Sequence, residues 1–168
     1  GLVRPVCGRT HSGHGGWESN MDERLKSKIL EILQRHHIMT LATIRPDGYP
    51  QATTVNYVHD GLTLFFATDA ASQKAGNIKR NNKVSIAIAS ETSNLYKLCG
   101  LSMSGTAERV CDTKRAQERA LLLFTKLPQA KRLVPEDPKQ LAVYAITPVA
   151  ISLVDYASGY GKTFLVEL

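Results

Sequence analysis

Several features that mark membrane, secreted or metal-binding proteins are missing from this sequence of 168 residues. No run approaches the ~20 apolar residues of a transmembrane helix, and the N-terminus has no apolar signal-peptide core. The three cysteines, Cys7, Cys99 and Cys111, are odd in number and widely spaced, which indicates neither a disulfide framework nor a zinc site. We therefore expect a cytoplasmic protein without a bound structural metal.

The sequence also lacks the short motifs of common catalytic sites. It contains no serine-nucleophile elbow, no dinucleotide-binding glycine fingerprint and no HExxH helix. Gly161-Lys162-Thr163 resembles the end of a nucleotide-binding loop, but no glycine stands at the required distance upstream. No pair of carboxylates stands out as an acid–base couple. If the protein is an enzyme, we expect its reactive group to be a cofactor, and no catalytic residue is assigned.

Positive charge exceeds negative charge, with 21 lysines and arginines against 15 acidic residues. This excess is scattered along the chain rather than concentrated on one helix, so we expect a solvated basic surface and no nucleic-acid partner. A modest positive charge also favours a small anionic ligand, such as a phosphorylated cofactor.

The first twenty residues differ from the rest of the chain. They are rich in glycine and show neither a helical nor a strand period. We predict that residues 1–20 are a flexible N-terminal arm or a remnant of cloning, and that residues 21–168 form one folded domain.

Apolar residues at helical spacing predict three helices, over residues 22–36, 70–81 and 112 to about 126. We expect Ser19 or Asn20 to cap the first helix, whose apolar face would cover one end of the folded sheet. That face holds Leu25, Ile29, Ile32, Leu33 and His36.

Alternating residues and turn signals predict an antiparallel meander followed by longer strands. The two Asp-Gly pairs, Asp47-Gly48 and Asp60-Gly61, are strong hairpin signals. Pro148 should break or bulge the last strand, because proline donates no ladder hydrogen bond. The predicted strands cover residues 38–45, 49–59, 62–68, 83–90, 98–110 and 141–156.

The second predicted strand has polar residues on both faces. Gln51, Thr53, Val55 and Tyr57 alternate with Ala52, Thr54, Asn56 and Val58. Two interpretations stay open at this point: the strand lies beside a polar ligand, or it is an edge strand in which threonine serves β propensity.

A cluster of possible anion ligands follows the third predicted strand. Thr68, Ser72 and Lys74 bring hydroxyl, ammonium and backbone N–H donors to one end of the sheet. Such a cluster suits a phosphate group. The alternatives are that Asp69 or Ser72 simply caps the helix and that Lys74 is a solvated lysine.

The order of these segments resembles the pyridoxamine 5′-phosphate oxidase-like family of FMN-binding split β-barrels. The resemblance rests on the successive motifs PDG, HDG, FFAT, SQKAGNI and NKVSIAI and on GTAERV at Gly105–Val110, and it covers roughly Leu25 to Tyr156. It implies a mainly β fold with flanking helices, a six-stranded antiparallel split β-barrel. It also implies a homodimer with FMN at the subunit interface.

The resemblance implies roles for particular residues. Lys74, with Ser72 and Thr68, would hold the FMN phosphate, and Gln73 stands where many members of the family place a second cation, an arginine. Residues 98–101 would approach the cofactor from the partner subunit. The complete implied set of cofactor-binding residues is Thr53, Thr54, Val55 and Asn56 along the isoalloxazine edge, Ala67, Thr68, Ser72, Gln73 and Lys74 around the phosphate, and Asn77 at the loop or the ribityl chain.

The implied activity is hydride transfer through flavin N5, to or from a small-molecule substrate that the sequence does not name. Vitamin B6 oxidation is disfavoured, because the C-terminal histidine and arginine that bind the oxidase's substrate have no counterpart here. Two alternatives stay open: a deazaflavin (F420) reductase on the same fold, and a non-catalytic flavin-binding or haem-binding stress or storage protein. A nucleic-acid-binding barrel would need aromatic platforms, and of the candidates Tyr57, Phe65 and Phe66 the last two look like core residues.

Overall fold

The alternating and helical patterns of the sequence take the form of one antiparallel sheet with flanking helices in the computed structural model of the protein. The structure describes residues 22–90, 92, 94–126, 137–159 and 163–168. The predicted N-terminal arm, most of the segment that follows the third helix, and the Gly161-Lys162 pair lie outside the described residues.

Three α-helices and eight β-strands make up the described part of the chain. They are α1 Glu23–Arg35, β1 Ile38–Ile44, β2 Pro50–Asn56, β3 Val58–Asp60, β4 Thr63–Asp69, α2 Gln73–Arg80, β5 Lys83–Ala89, β6 Cys99–Arg109, α3 Thr113–Lys126, β7 Leu141–Asp155 and β8 Thr163–Glu167. The predicted mainly β fold with flanking helices is confirmed. The strand count differs from the prediction of six, because the second predicted strand is divided in two and β8 is added.

The division of the second strand occurs at Tyr57. The Tyr57 N–H donates to the His37 carbonyl at 3.0 Å, and the Tyr57 hydroxyl donates to the Leu33 carbonyl at 2.9 Å. Burial raises the pKa of this phenol above its ordinary range. Tyr57 is therefore bonded to residues at and just after the end of α1, and it separates β2, which pairs with β1, from β3, which pairs with β4.

The sheet curls because one long strand has different neighbours at its two ends. The strand order is β2-β1-β5-β6-β7-β4-β3, and β8 pairs with β7 as well. β7 pairs with β4 through Leu141–Ile146 and with β8 through Ala150–Val154, while β6 pairs with Tyr144–Asp155 on its other side. The result is a half-barrel whose concave side holds the main core.

A bulge near Pro148 changes the face on which β7 residues lie, as the sequence predicts. Ser104 pairs with Ala150 and Gly105 pairs with Pro148, so Val149 is an extra residue in the ladder. The extra residue shifts the alternation by one position. Ile146 before it and Ile151 after it both remain buried.

The helix α1 covers the core with its apolar face. Ile29, Ile32 and Leu33 are buried, as the helical spacing predicts. The expected cap at Ser19 or Asn20 is wrong: the N-cap is Asp22, whose carboxylate accepts the Arg24 N–H at 3.1 Å. An aspartate in this position satisfies a free helix N–H and interacts favourably with the helix dipole.

The apolar residues form one large cluster and one small one. The large cluster lies inside the curled sheet, and Phe66 stacks there on Tyr144 with ring centroids 5.3 Å apart. The small cluster lies under α3, where Phe65 packs with Val58 and Leu123. Adjacent residues of β4 thus serve opposite faces, which confirms that Phe65 and Phe66 are core residues rather than nucleic-acid platforms.

An ion pair joins the end of β7 to α1. The Lys28 ammonium contacts the carboxylate of Asp155, which is buried, and the same carboxylate accepts the Ala157 N–H at 3.0 Å. Cys99 lies opposite Asp155 in the ladder and is partly buried, while Cys111 is exposed. Burial, with a smaller contribution from Asp155, raises the pKa of the Cys99 thiol.

Among the described helices, none is both long enough and apolar enough to span a bilayer.

Candidate functional site

The start of α2 brings hydroxyl groups and free backbone N–H groups to the end of β4. Ser72 is the N-cap: its Oγ accepts the Ala75 N–H at 3.3 Å and lies 3.1 Å from the Thr68 Oγ1. Asp69 is turned to the preceding turn, where its carboxylate accepts the Ala71 N–H at 2.7 Å. The capping interpretation of Ser72 is therefore correct, and its hydroxyl can still donate a hydrogen bond to Thr68 or to an anion.

The first turn of α2 carries positive charge and no acidic residue. The N–H groups of Gln73 and Lys74 form no hydrogen bond within the described residues, as expected for the first turn of a helix. Lys74 is half-buried beside them. Free N–H groups, the helix dipole and an ammonium group together favour an anion at this end of the helix.

A chain of side-chain amides joins this helix to β2. The Gln51 Nε2 donates to the Gln73 Oε1 at 2.7 Å, and the Gln51 Oε1 accepts from the Asn77 Nδ2 at 3.1 Å. The Asn77 Nδ2 also donates to the Thr43 Oγ1 at 3.0 Å. Asn77 and Thr43 are each only 1% exposed, so this network runs from the core to the surface.

Gln51 and Thr43 are the residues of this network that the sequence prediction missed. Gln51 lies on the same face of β2 as Thr53, and that alternation was the available signal. Thr43 is a polar residue in an inward position of β1, after Met39 and Leu41. An inward polar residue needs a buried partner, but no local pattern in the sequence locates that partner on α2.

The four candidate residues on β2 divide between the two faces of the sheet. Val55 belongs to the main core, whereas Thr54 and Asn56 are exposed on the outer face. The Thr53 Oγ1 is buried and has no hydrogen-bond partner among the described residues. These four side chains do not form a single surface, so a shared ligand would be contacted in large part by the backbone.

The backbone of β2 is available for such contacts. β2 is the last strand at one edge of the sheet and pairs only with β1 among the described strands. Half of the N–H and C=O groups of an edge strand face away from its partner. The edge lies next to α2, because Gln51 and Gln73 are in contact.

Ala67 does not join the cluster at the start of α2. Its side chain packs against the small apolar cluster under α3, whereas Thr68 is oriented toward Ser72. Successive residues of a strand point to opposite faces, which explains the difference. The Ala67 side chain therefore faces away from the candidate site, and only the Ala67 backbone could contact a ligand there.

The outer face of the sheet carries small side chains and a shallow groove. The groove has a volume of about 470 Å³ and is bordered by Ala42, Ile44, Ser85, Ser104 and Val149. The exposed apolar residues Ile38 of β1 and Leu165 of β8 lie on the same face. No described helix covers it.

Within the described residues, no group of three or more histidine, cysteine or acidic side chains could hold a metal ion. Hydroxyl groups, free backbone N–H groups, side-chain amides and the Lys74 ammonium come together where β2, β4 and α2 meet. A family model described as pyridoxamine 5′-phosphate oxidase matches residues 25–155. The chain belongs to the pyridoxamine 5′-phosphate oxidase family. The curled antiparallel sheet is the split β-barrel fold that the resemblance implies.

Relatives of this chain in the pyridoxamine 5′-phosphate oxidase family include stress proteins. The general stress protein 26 of Bacillus subtilis (strain 168) is 36% identical over 62 residues, which are 37% of this chain and 44% of that protein. The chain thus matches less than half the length of that curated relative. The general stress protein 26 of Bacillus anthracis (strain Sterne), for which there is a crystal structure, is 26% identical to this chain. The two structures match with a TM-score of 0.65, over 86% of this chain and 99% of that protein.

The same fold occurs in a haem protein. The haem storage protein HutZ of Vibrio cholerae is 17% identical to this chain, with a TM-score of 0.62, and the match covers 73% of this chain and 88% of HutZ. At this identity the likeness concerns the fold alone.

Proposed function

We propose that this chain binds FMN at the edge formed by β2, β4 and α2 and acts as an FMN-dependent oxidoreductase on a small-molecule substrate. The observation that carries the proposal is the cluster at the start of α2. There the Thr68 and Ser72 hydroxyls lie 3.1 Å apart, beside the unpaired N–H groups of Gln73 and Lys74. A phosphate monoester accepts several hydrogen bonds at once and carries the charge that a helix N-terminus favours.

The groups around β2 fit the remainder of the cofactor. An isoalloxazine ring presents alternating donors and acceptors along one side, and the free edge of β2 offers backbone N–H and C=O groups. The Thr53 Oγ1 is a buried polar atom without a protein partner, and a buried hydroxyl of this kind is costly unless it is paired. A flavin along β2 would supply polar atoms at this place.

The work of the protein residues would be binding and orientation. When bound, FMN supplies a hydride acceptor and donor at N5, which the protein side chains lack. Lys74 and Ser72 would anchor the phosphate. The amide of Gln73 replaces the arginine found in many members of the family, and it would offer a hydrogen bond without a charge. Its contact with Gln51 fixes the orientation of that amide.

The test is an FMN titration of the purified protein from which any flavin has been removed. Lys74→Ala should weaken FMN binding by about 1.5–3 kcal/mol, the range for hydrogen bonds to charged groups, or about tenfold to more than a hundredfold in Kd. Lys79→Ala is the matched control, because Lys79 lies on the same helix at its other end. Unchanged affinity in Lys74→Ala, or an equal loss in both variants, would reject the assignment.

We further propose that the chain is a homodimer with the cofactor at the subunit interface. The uncovered outer face of the sheet supports this, because small and apolar side chains there would let two sheets approach closely. Ala87 is exposed on this face between Thr40 and Ser102. Ala87→Arg should give a folded monomer that loses FMN, while Glu118→Arg on the exposed side of α3 should change neither property. Sedimentation velocity and the flavin absorbance of the same samples measure both, and a monomer that retains its flavin would refute the interface site.

A second candidate is a protein that binds a flavin or haem without turnover. Within the described residues we find no carboxylate couple suited to acid–base chemistry, and HutZ, which shares the fold, is a haem storage protein. A deazaflavin such as F420 is the alternative redox cofactor for the same site. The absorbance spectrum of the freshly purified protein, followed by release of the chromophore and chromatography, separates FMN, F420 and haem. Oxidation of NADH or NADPH by the FMN-loaded protein would then separate turnover from storage.

A further inference from the structure

A second cavity lies on the opposite face of α2 from the proposed flavin site. It has a volume of about 370 Å³ and lies between α2 and the adjoining ends of β6 and β7. Ala75 and Lys79 of α2 border this cavity, whereas Gln73 and Asn77 contact Gln51 on the other side. At 3.6 residues per turn the two pairs are separated by about half a turn of helix.

Two cationic side chains border the cavity without an acidic partner. Lys79 and Arg109 line it, and neither forms an ion pair within the described residues. The acidic residue beside Arg109 in the sequence, Glu108, lies on the other face of β6. Two unpaired cations at one concave site create a positive potential that attracts anions.

The inner end of the cavity is formed by Tyr144. This residue is 6% exposed, stacks on Phe66 and lies directly opposite Arg109 in the ladder of β6 and β7. Burial raises the pKa of the Tyr144 phenol, and the Arg109 charge opposes this shift in part. The phenol is therefore neutral at physiological pH and can donate a hydrogen bond to a ligand in the cavity that Arg109 also lines.

A glycine within the helix adds an independent observation. Gly76 borders the cavity in the middle of α2, where glycine is less favourable than alanine. No contact in the fold requires it, because a Cβ built at Gly76 would meet no other atom within 4 Å. The missing side chain keeps the space beside Lys79 open.

We propose that this cavity is a second ligand site, for a small organic anion such as a phosphate monoester. The anionic group would lie between Lys79 and Arg109 and accept a hydrogen bond from the Tyr144 hydroxyl. The apolar part of the ligand would contact Ala75 and Ala107. The volume falls at the lower end of the range for ligand pockets, which limits the ligand to a small molecule. This site does not depend on the proposed flavin cluster.

The test is a titration of the isotope-labelled protein, as purified, with phenyl phosphate, monitored by backbone amide NMR shifts. We expect saturable shifts at Gly76 and Ala107 with a Kd of about 1 mM or tighter. Arg109→Gln and Lys79→Gln should each weaken binding about tenfold or more, because each removes a charge-assisted hydrogen bond. Gly76→Leu should block the site without disturbing the fold, since the added side chain enters open space.

Lys74→Ala separates this site from the flavin cluster. It should leave the phenyl phosphate affinity unchanged even if it abolishes FMN binding. Absence of saturable binding to the wild-type protein would overturn the proposal, and so would wild-type affinity in both Gly76→Leu and Arg109→Gln. A loss of binding in Lys74→Ala equal to that in Lys79→Gln would overturn it as well, because the probe would then occupy the flavin phosphate cluster.

Discussion

The buried pair of Asn77 and Thr43 allows a sharp test of what holds α2 on the sheet. Both residues are 1% exposed, and the Asn77 amide uses its two N–H groups on Thr43 and Gln51 at 3.0 and 3.1 Å. Asn77→Ala removes both hydrogen bonds and leaves the Thr43 hydroxyl buried without that partner. We expect it to lower the free energy of unfolding by about 2–4 kcal/mol.

The effect of Thr43→Val should depend on whether Asn77 is present. Valine has nearly the shape of threonine, so the substitution mainly removes the hydroxyl. In the wild-type background it orphans one Asn77 N–H, and we expect a loss of about 1–3 kcal/mol. In the Asn77→Ala background the hydroxyl has already lost its partner, so Thr43→Val should be neutral or stabilising. The coupling free energy between the two sites should therefore be about 1 kcal/mol or more.

The assay is urea unfolding followed by far-ultraviolet circular dichroism on the four proteins of the cycle, each freed of flavin. Equal slopes of the free energy against urea concentration establish that the four unfolding transitions are comparable. If Thr43→Val lowers the free energy of unfolding equally in both backgrounds, the coupling between Thr43 and Asn77 is refuted, because neither residue would then depend on the other. The FMN affinity of Asn77→Ala, measured in parallel, reports whether the network also positions Gln51 and Gln73.

Four further predictions concern stability. Gly105→Ala should destabilise the fold by about 1–3 kcal/mol, because the added Cβ would lie 2.7 Å from the Thr147 carbonyl oxygen. Gly76→Ala, which meets no atom within 4 Å, should instead stabilise it by about 0.8–1 kcal/mol, and thermal unfolding of the two variants checks both signs. Burial and the nearby charge of Arg35 lower the pKa of His36, so the unfolded chain binds this proton more readily and stability should fall as the pH drops below about 6.5. His36→Gln should make the free energy of unfolding less dependent on pH in this range. A pH profile equal to that of the wild-type protein would contradict the role of His36. Burial raises the pKa of Tyr57, so the free energy of unfolding should decrease above about pH 10. An absorbance titration at alkaline pH should show a phenol that ionises only when the protein unfolds, and this phenol should be missing in Tyr57→Phe.

The local elements of this protein were predictable from neighbouring residues. Gly48 and Gly61 adopt positive φ angles of 85° and 56°, the conformation that made their Asp-Gly turns recognisable. The apolar spacing of α1 and the Ser72 cap of α2 were likewise readable, because both depend on residues within one or two turns. The Pro148 bulge follows from the missing N–H of a single residue.

The candidate site was only partly predictable. Thr68, Ser72 and Lys74 are close in sequence, and their convergence at one helix end follows from local geometry. Gln51 and Gln73 are 22 residues apart, and the sequence does not indicate that their side chains meet. The opposite orientations of Ala67 and Thr68 follow from strand alternation.

By itself the sequence determined the identity of the helices, the hairpin turns and the alternation of each strand, since these depend on backbone preferences over a few residues. Only the tertiary structure decided which strands are neighbours, where β7 exchanges β4 for β8, and which polar residues share a buried network. The ion pair of Lys28 with Asp155 spans 127 residues of chain. Contacts at such separations are fixed by the packing of the whole core and by the register of the sheet, and no local pattern encodes them.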